Sequence, residues 1–332
     1  MASEDLKRLV TRARGLSLRE IAERRLHHGD GRFLNPFSSE PRGGLWRLLR
    51  WKFFSENPFR DQYSQEPVRP LDLDWRPFRE QGDCAVLFLR HACVLVRDLD
   101  IVYLVDPLFS GLFWFDDFSP IRSGLEGMPR PDHVLITHGH YDHLDVKSLR
   151  TLDLETHVIT PLGYEDFFRD LGMPHHSRLD WCEAYENGRS EVRLLPCHHW
   201  TMRSPFTGPN RNLWGRTSFE GRAAGLCSSP ETPLTSTGRG RSERTWTSTS
   251  PCSTSGPTSR AGSWPRATLI PGKRCGPFAS SARAGSWWFT GGPSGWGTSR
   301  CTCLPWRMRR EMERAGLADR LVHLEPGQTM SL

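Results

Sequence analysis

Nine consecutive residues constrain this chain most: THGHYDHLD, residues 137–145, set directly behind the apolar run HVLI at 133–136. His138 and His140 alternate along extended backbone, so both rings can leave on the same side. Asp142 and His143 follow on the turn and at the start of a helix. The pattern offers two imidazoles to one metal ion and a carboxylate plus an imidazole to a second. Zinc takes imidazole nitrogen and carboxylate oxygen, and it makes hydroxide accessible near neutral pH. Two such ions about 3.5–4 Å apart hold the attacking oxygen between them. Scattered histidine pairs carry no such information, and a solvated polar loop does not account for this spacing.

The surroundings predict an α/β layered fold. Apolar runs at 85–89, 93–96, 101–105, 133–136, 157–160 and 191–195 alternate with polar turns and helical stretches such as Tyr164 to Leu171. Strands alternating with helices build layered sheets, whose strand ends are where sites collect. Before them, a basic amphipathic helix is predicted from Glu4 to His27, broken by Gly29-Asp30-Gly31. The segment GGLWRLLRWKFF (43–54) interleaves Leu and Trp with Arg and Lys. It suits either an anionic bilayer or packing on the domain that follows, and packing is the simpler reading. The first 26 residues carry charges throughout with no apolar leader. No window approaches the roughly 18 apolar residues of a membrane span. Nine cysteines, an odd number, point to free thiols in a reducing compartment, hence to a cytoplasmic protein. A net charge of +6 is too small to require a polyanionic partner, and no nucleic acid is expected.

Five segments occur in the order shown by one known family: FLNPF (33–37), VDPLFS (105–110), ITHGHYDHLD (136–145), PCHHWTMRSPF (196–206) and NLWG (212–215). In them the chain resembles the metallo-β-lactamase superfamily, and within it the branch of N-acyl-phosphatidylethanolamine-hydrolysing phospholipase D and its bacterial relatives. The resemblance covers roughly residues 32–215 and 304–332. It implies an αβ/βα four-layer sandwich and two zinc ions. His199 would join His138 and His140 on the first ion, and Asp142 and His143 would hold part of the second. Asp142 is also the candidate catalytic carboxylate. Asp106 matches an aspartate that supports the site from the preceding strand, and His198 is a plausible outer neighbour. His91 matches a motif histidine, although Arg90 stands where the family usually has glycine. His27, His28, His157, His175, His176 and His323 receive no role.

Residues 216–303 break the pattern. They contain no Asp, His, Val or Tyr, and their only Leu and Ile are Leu226, Leu234, Leu269 and Ile270. A stretch of Ser, Thr, Gly, Pro, Arg and Trp should not fold on its own. The family's bridging aspartate and its last histidine are both absent from it. A reading shifted by one nucleotide restores them. The single Trp codon makes Trp287-Trp288-Phe289 read Val-Val, the next residue must be His or Tyr, and the run to Ser294 allows VVHWGTF. The surroundings of Glu231-Thr232 allow AGDT, and residues 257–281 allow a third family-like segment. Two compensating slips, near Gly215 and Pro305, are therefore expected. A genuine Arg/Ser/Trp-rich insertion is the rival reading.

The chain thus divides into an N-terminal helical and loop extension (1–80), the first half of the domain (81–215), an anomalous stretch (216–303) and the end of the domain (304–332). The expected activity is metal-dependent hydrolysis of a phosphodiester in a phospholipid-like or small-molecule substrate, with peripheral membrane contact possible. The alternatives are a lactonase or ester hydrolase of the same fold, or a product impaired by loss of half the second metal site. With the second half disrupted, apolar faces of the first half would lack cover. At about 25 cal/mol per Å² that loss outweighs a marginal folding balance.

Overall fold

The structure, a computed structural model, describes residues 3–38, 68–112, 117–204, 206–220, 245–248, 287–291, 313 and 321–331. The segment GGLWRLLRWKFF lies outside them.

The predicted N-terminal helix is two helices, α1 (Ser3–Ala13) and α2 (Leu18–Glu23). The break has a local cause. Gly15 takes φ 85°, a left-handed value that glycine adopts without strain. Ser17 then begins a fresh helix with a capping box: its hydroxyl accepts from the Glu20 N–H at 3.2 Å, and its own N–H donates to Glu20 Oε2 at 2.8 Å. The turn at Gly29-Asp30-Gly31 joins a two-residue hairpin of β1 (His28–Gly29) and β2 (Arg32–Phe33).

Two sheets form the body. After the short strand β3 (Leu71–Asp72) and helix α3 (Arg76–Glu80) come β4 (Cys84–Arg90), β5 (Cys93–Asp98) and β6 (Ile101–Val105), antiparallel neighbours in sequence. A short strand β7 (Ile121–Ser123) pairs with β3. Then β8 (His133–Leu135), helix α4 (Val146–Leu149), β9 (His157–Pro161), helix α5 (Glu165–Leu171) and β10 (His176–Leu179) extend the first sheet in parallel. With β17 (Gln328–Ser331) on its far edge, that sheet has seven strands in the order β10-β9-β8-β6-β5-β4-β17. Parallel pairs need crossovers, and α4 and α5 lie in those connections.

Both faces of this sheet are buried, which is why its strands read as continuous apolar runs. Along β4, Ala85, Leu87 and Leu89 join a core with Phe78 of α3, Leu149 of α4 and Phe168 of α5. The alternate residues Val86 and Phe88 join the other core. That second core receives Val192 and Leu194 of β12 (Glu191–Leu195) and Phe219 of β13 (Arg216–Glu220) from the opposing sheet, together with Leu9, Ala13, Ile21 and Ala22 from the N-terminal helices and Leu26 from the turn after α2. Trp75, Phe78 and the faces of α1 and α2 are thus core of the sandwich, although they fall within the 1–80 extension.

The second sheet continues past residue 215. β11 (Ala184–Glu186), β12 and β13 continue through β14 (Thr245–Ser248), β15 (Trp287–Gly291) and β16 (Leu321–Leu324) into a six-stranded sheet. TWTS and WWFTG carry aromatic and β-branched residues that favour a pleated backbone even within a stretch otherwise short of aliphatics. The helical layer expected over this sheet lies outside the described residues. Helices on one face of one sheet, with the second sheet against its other face, give the α/β sandwich layering.

Candidate metal centre

The histidine cluster sits where β8 ends. The backbone runs extended through residues 136–139 and turns at 141–143; Asp145 then caps α4, accepting from the Ser148 N–H at 3.0 Å. Gly139 is required by close approach. A Cβ there would stand 2.9 Å from the Tyr164 hydroxyl and 3.1 Å from Thr201 Oγ1. The small residue between the two histidines therefore lets this loop lie against α5 and the 196–214 segment.

Buried Asp106 organises the cluster. Its Oδ1 accepts the Thr137 N–H at 2.7 Å, and its Oδ2 accepts the Thr137 hydroxyl at 2.6 Å and His143 Nδ1–H at 2.7 Å. Thr137 has one hydroxyl proton, and the carboxylate takes it. The 2.9 Å contact between Thr137 Oγ1 and His138 Nδ1 must then be Nδ1–H donating to the oxygen. The tautomer of His138 is thereby set: its Nε2 carries a lone pair. That Nε2 faces His140 Nδ1 at 2.9 Å and His199 Nε2 at 2.9 Å.

Three imidazole nitrogens converge on one point, as nitrogen ligands of a divalent cation do. Burial drives His138 far below the ordinary imidazole range, with the neighbouring imidazoles adding to it, and pushes His140 down to about 4. Both are neutral at pH 7, the form that binds metal. The donor set therefore fits the ion that the resemblance implies.

Beside it a second group forms. Asp142 Oδ2 lies 2.7 Å from His91 Nε2 and 3.1 Å from His143 Nε2. His91 reaches it from the β4–β5 turn, where it holds φ 51°, a strained value for a residue other than glycine. Burial opposes a charge on His143, yet Asp142 and Asp106 outweigh it and hold the imidazolium up to about 10 in the metal-free protein. Asp142 shows the mirror effect. Burial resists its charge, and His143 and His91 hold it well below the carboxylate range. Next to this turn, Arg90 forms a buried ion pair with Asp117 at 2.6 Å, the use found for the residue that replaces the family's glycine.

The structure thus brings together His138, His140 and His199, and separately His91, Asp142 and His143, with Asp106 bridging the two groups. His198 is not among the convergent ligand atoms, and its ring lies edge-on to Phe37 at 6.4 Å. Of the histidines given no role, His157 contacts Ser177 and Tyr185, His175 pairs with Glu155, and His176 contacts Thr160. The side chain of His323 lies outside the described residues. Sequence reasoning missed Thr137, which fixes a tautomer, and Asn35, whose side-chain N–H donates to the His199 carbonyl at 2.7 Å. The threonine directly before the first histidine was a visible signal. Asn35, 164 positions from its partner, was visible only as part of the FLNPF segment.

A three-histidine centre, buried at His138, stands at the strand ends of a two-sheet α/β sandwich. Residues 102–239 match the family described as the beta-lactamase superfamily domain. An uncharacterized protein of Mycobacterium tuberculosis is 28% identical over 222 residues, which is 62% of this chain and 57% of that protein. N-acyl-phosphatidylethanolamine-hydrolyzing phospholipase D 1 of Caenorhabditis elegans is 28% identical over 209 residues, 55% of this chain and 58% of the worm protein. The chain therefore spans less than two thirds of the length of these relatives. A solved metallo hydrolase from the archaeon Ignicoccus hospitalis aligns with a TM-score of 0.42 at 12% identity, covering 74% of this chain and 97% of that one.

This geometry has two testable consequences. Asp106→Asn removes the acceptor that orients His143 and Thr137. Metal affinity, measured by competition with a chelator, should fall about 10–100-fold, and an unchanged affinity would show that Asp106 does not orient the ligands. Without metal, stability should peak near neutral pH. The unfolded chain protonates ordinary imidazoles near 6.5, whereas folded His138 and His140, and His133 (pushed down to about 4, chiefly by burial), stay neutral. Stability is thus lost as pH falls from about 6.5 toward 4. His143 acts with the opposite sign: its contribution is complete below 6.5 and is lost as pH rises toward 10. Urea midpoints of the chelated chain between pH 4 and 10 measure both limbs, and a flat acid limb would contradict the assignment.

Proposed function

We propose that the chain is a metal-dependent hydrolase of a phosphodiester bond in a phospholipid-like substrate. The observation that carries the hydrolase reading is the convergence of His138 Nε2, His140 Nδ1 and His199 Nε2 on one point, with the His138 tautomer set by Thr137 and Asp106. A divalent cation bound there would supply Lewis acidity and an acidified water. The chain's own groups do the rest. Asp142 offers a buried carboxylate beside that point, to hold part of a second ion and to orient the attacking water. His143 is held in place by Asp106, and His91 holds the other side of Asp142. Zinc is the metal that suits three imidazoles and a carboxylate.

The phospholipid-like substrate rests on the Caenorhabditis elegans relative and on the loops around the centre. Tyr141, on the turn carrying Asp142, is 53% exposed, and Phe206, seven residues beyond His199, is 96% exposed. Large apolar side chains left in solvent on the loops of a site suit a substrate with an acyl chain, and peripheral contact with a lipid surface. Among the described residues, no helix is long and apolar enough to cross a membrane.

Metal-loaded protein should hydrolyse N-acyl-phosphatidylethanolamine vesicles or a soluble aryl phosphodiester in preference to lactones. His199→Ala should lower that rate by about a hundredfold or more, together with metal content. Lactone hydrolysis with no phosphodiester turnover would select the other ester chemistry instead.

A second reading, an impaired product, is favoured by composition. The stretch 216–303 holds no Asp and no His, so it supplies neither a bridging carboxylate nor another imidazole. A second ion would have His91, Asp142 and His143 in reach, with Asp106 already bound to His143. The strand β15 falls on the same residues whose shifted reading is VVHWGTF. Sequencing the gene across the codons for residues 210–310 decides between the readings. Third bases that forbid VVHWGTF exclude the slip.

A further inference from the structure

A separate group of ligand-type atoms comes together where the N-terminal extension meets the sandwich. His27 and His28 follow the end of α2, and Arg25, with φ 50°, turns the chain so that both rings face the same carboxylate. That carboxylate is Asp180, directly after β10. His27 Nε2 lies 2.6 Å from its Oδ1 and His28 Nε2 lies 2.8 Å from its Oδ2. All three ligand atoms fall within 4.8 Å of one another. His27 is fully buried and stacks on Trp181 with ring centroids 4.2 Å apart.

Hydrogen bonding alone can account for these contacts, and the Trp181 N–H also donates to Asp180 Oδ1 at 2.7 Å. Asp180 is almost wholly buried, and although burial resists its charge, the His27 contact and others hold it ionised. Burial keeps His27 neutral, and its Nδ1 has no partner among the described residues, so a second proton there would be unsolvated. Arg25 lies 3.5 Å from Oδ2 on a side chain 67% exposed, a loose and screened pair. A buried carboxylate with two imidazoles in reach has the donor chemistry of a two-histidine, one-carboxylate metal site.

We propose that His27, His28 and Asp180 form a second, separate divalent-cation site, of zinc-type donor chemistry, that clamps the N-terminal extension onto the domain. Zinc ligands at about 2.0–2.2 Å stand roughly 3.3 Å apart in a tetrahedron, so the present contacts open by about half an ångström on binding. His28, 29% exposed, has the freedom to make that adjustment and leaves a side open to water as a further ligand. The clamp reaches the first centre. The His27 carbonyl accepts the Leu34 N–H at 2.8 Å, and the next residue, Asn35, donates to the carbonyl of His199. Trp181 Nε1 donates to the Trp214 carbonyl at 2.5 Å, and Trp214 Nε1 to the Cys197 carbonyl at 3.0 Å. The inference does not depend on the proposed hydrolase activity.

The test is metal stoichiometry of the full chain, stripped with chelator and reloaded with Zn²⁺ or Co²⁺. His28→Ala and Asp180→Asn should each bind one equivalent fewer than the unaltered chain. His138→Ala should also lose one, and His28→Ala combined with His138→Ala should lose two. Loss of the His138 equivalent in a His28 or Asp180 variant would mark unfolding, so His28→Gln is the deciding variant. It keeps an N–H for Asp180 but is a poor zinc ligand. It should lose the equivalent, and the rise in melting temperature on adding zinc should shrink, while its metal-free melting temperature stays that of the unaltered chain. If His28→Gln binds as much metal as the unaltered chain, the cluster is a hydrogen-bonded staple and the proposal falls.

Discussion

The carboxylate of Asp106 is the interaction on which the rest of the centre depends. It is fully buried at the end of β6, on a residue held at φ 44°, and its two oxygens accept from Thr137 twice and from His143 once. A buried charge is tolerable only when such donors surround it. The donors it recruits are the backbone and side chain of the residue before His138 and the ring of His143. One desolvated group therefore fixes a tautomer on one side and a ring orientation on the other. Backbone strain at Asp106 and at His91 sits where the two groups of ligands meet, consistent with local geometry being held by the surrounding fold.

The supporting fold works by burying one sheet on both faces. Helices α3, α4 and α5 cover one side, and the second sheet with α1 and α2 covers the other. The N-terminal segment is therefore structural. It contributes core side chains, and it sends Asn35 to the His199 backbone and His27 and His28 to Asp180. An extension that looked separable by sequence is tied to the site by hydrogen bonds spanning more than 150 positions.

The second sheet shows how far a backbone can go on weak information. β12 and β13 pair in a register set by alternating apolar residues, with Val192 against Phe219. Beyond residue 220 the chain has few aliphatics, yet TWTS and WWFTG take strand positions. Strand formation needs only a tolerant side chain and a neighbouring edge to pair with, whereas a metal site needs particular atoms. Completing the sheet therefore supplies no Asp carboxylate and no imidazole from residues 216–303, which hold no Asp and no His.

The sequence by itself determined the layered α/β fold, the strands β4, β5, β6, β8, β9 and β12, and the clustering of the histidine–aspartate loop behind β8. These follow from local periodicity and from the tight spacing of His138, His140, Asp142 and His143. It also exposed the compositional break after Gly215, because missing residue types can be counted without a structure. It did not show that the N-terminal helix divides at Gly15, since the amphipathic pattern runs through the break. Only the tertiary structure decided which nitrogen of His138 faces the centre, that His91 reaches Asp142 across 51 positions, and that His27 and His28 find Asp180 across more than 150. The physical reason is that tautomers and long-range carboxylate contacts depend on which donors are buried together. That is a property of packing between elements, and no window of neighbouring residues contains it.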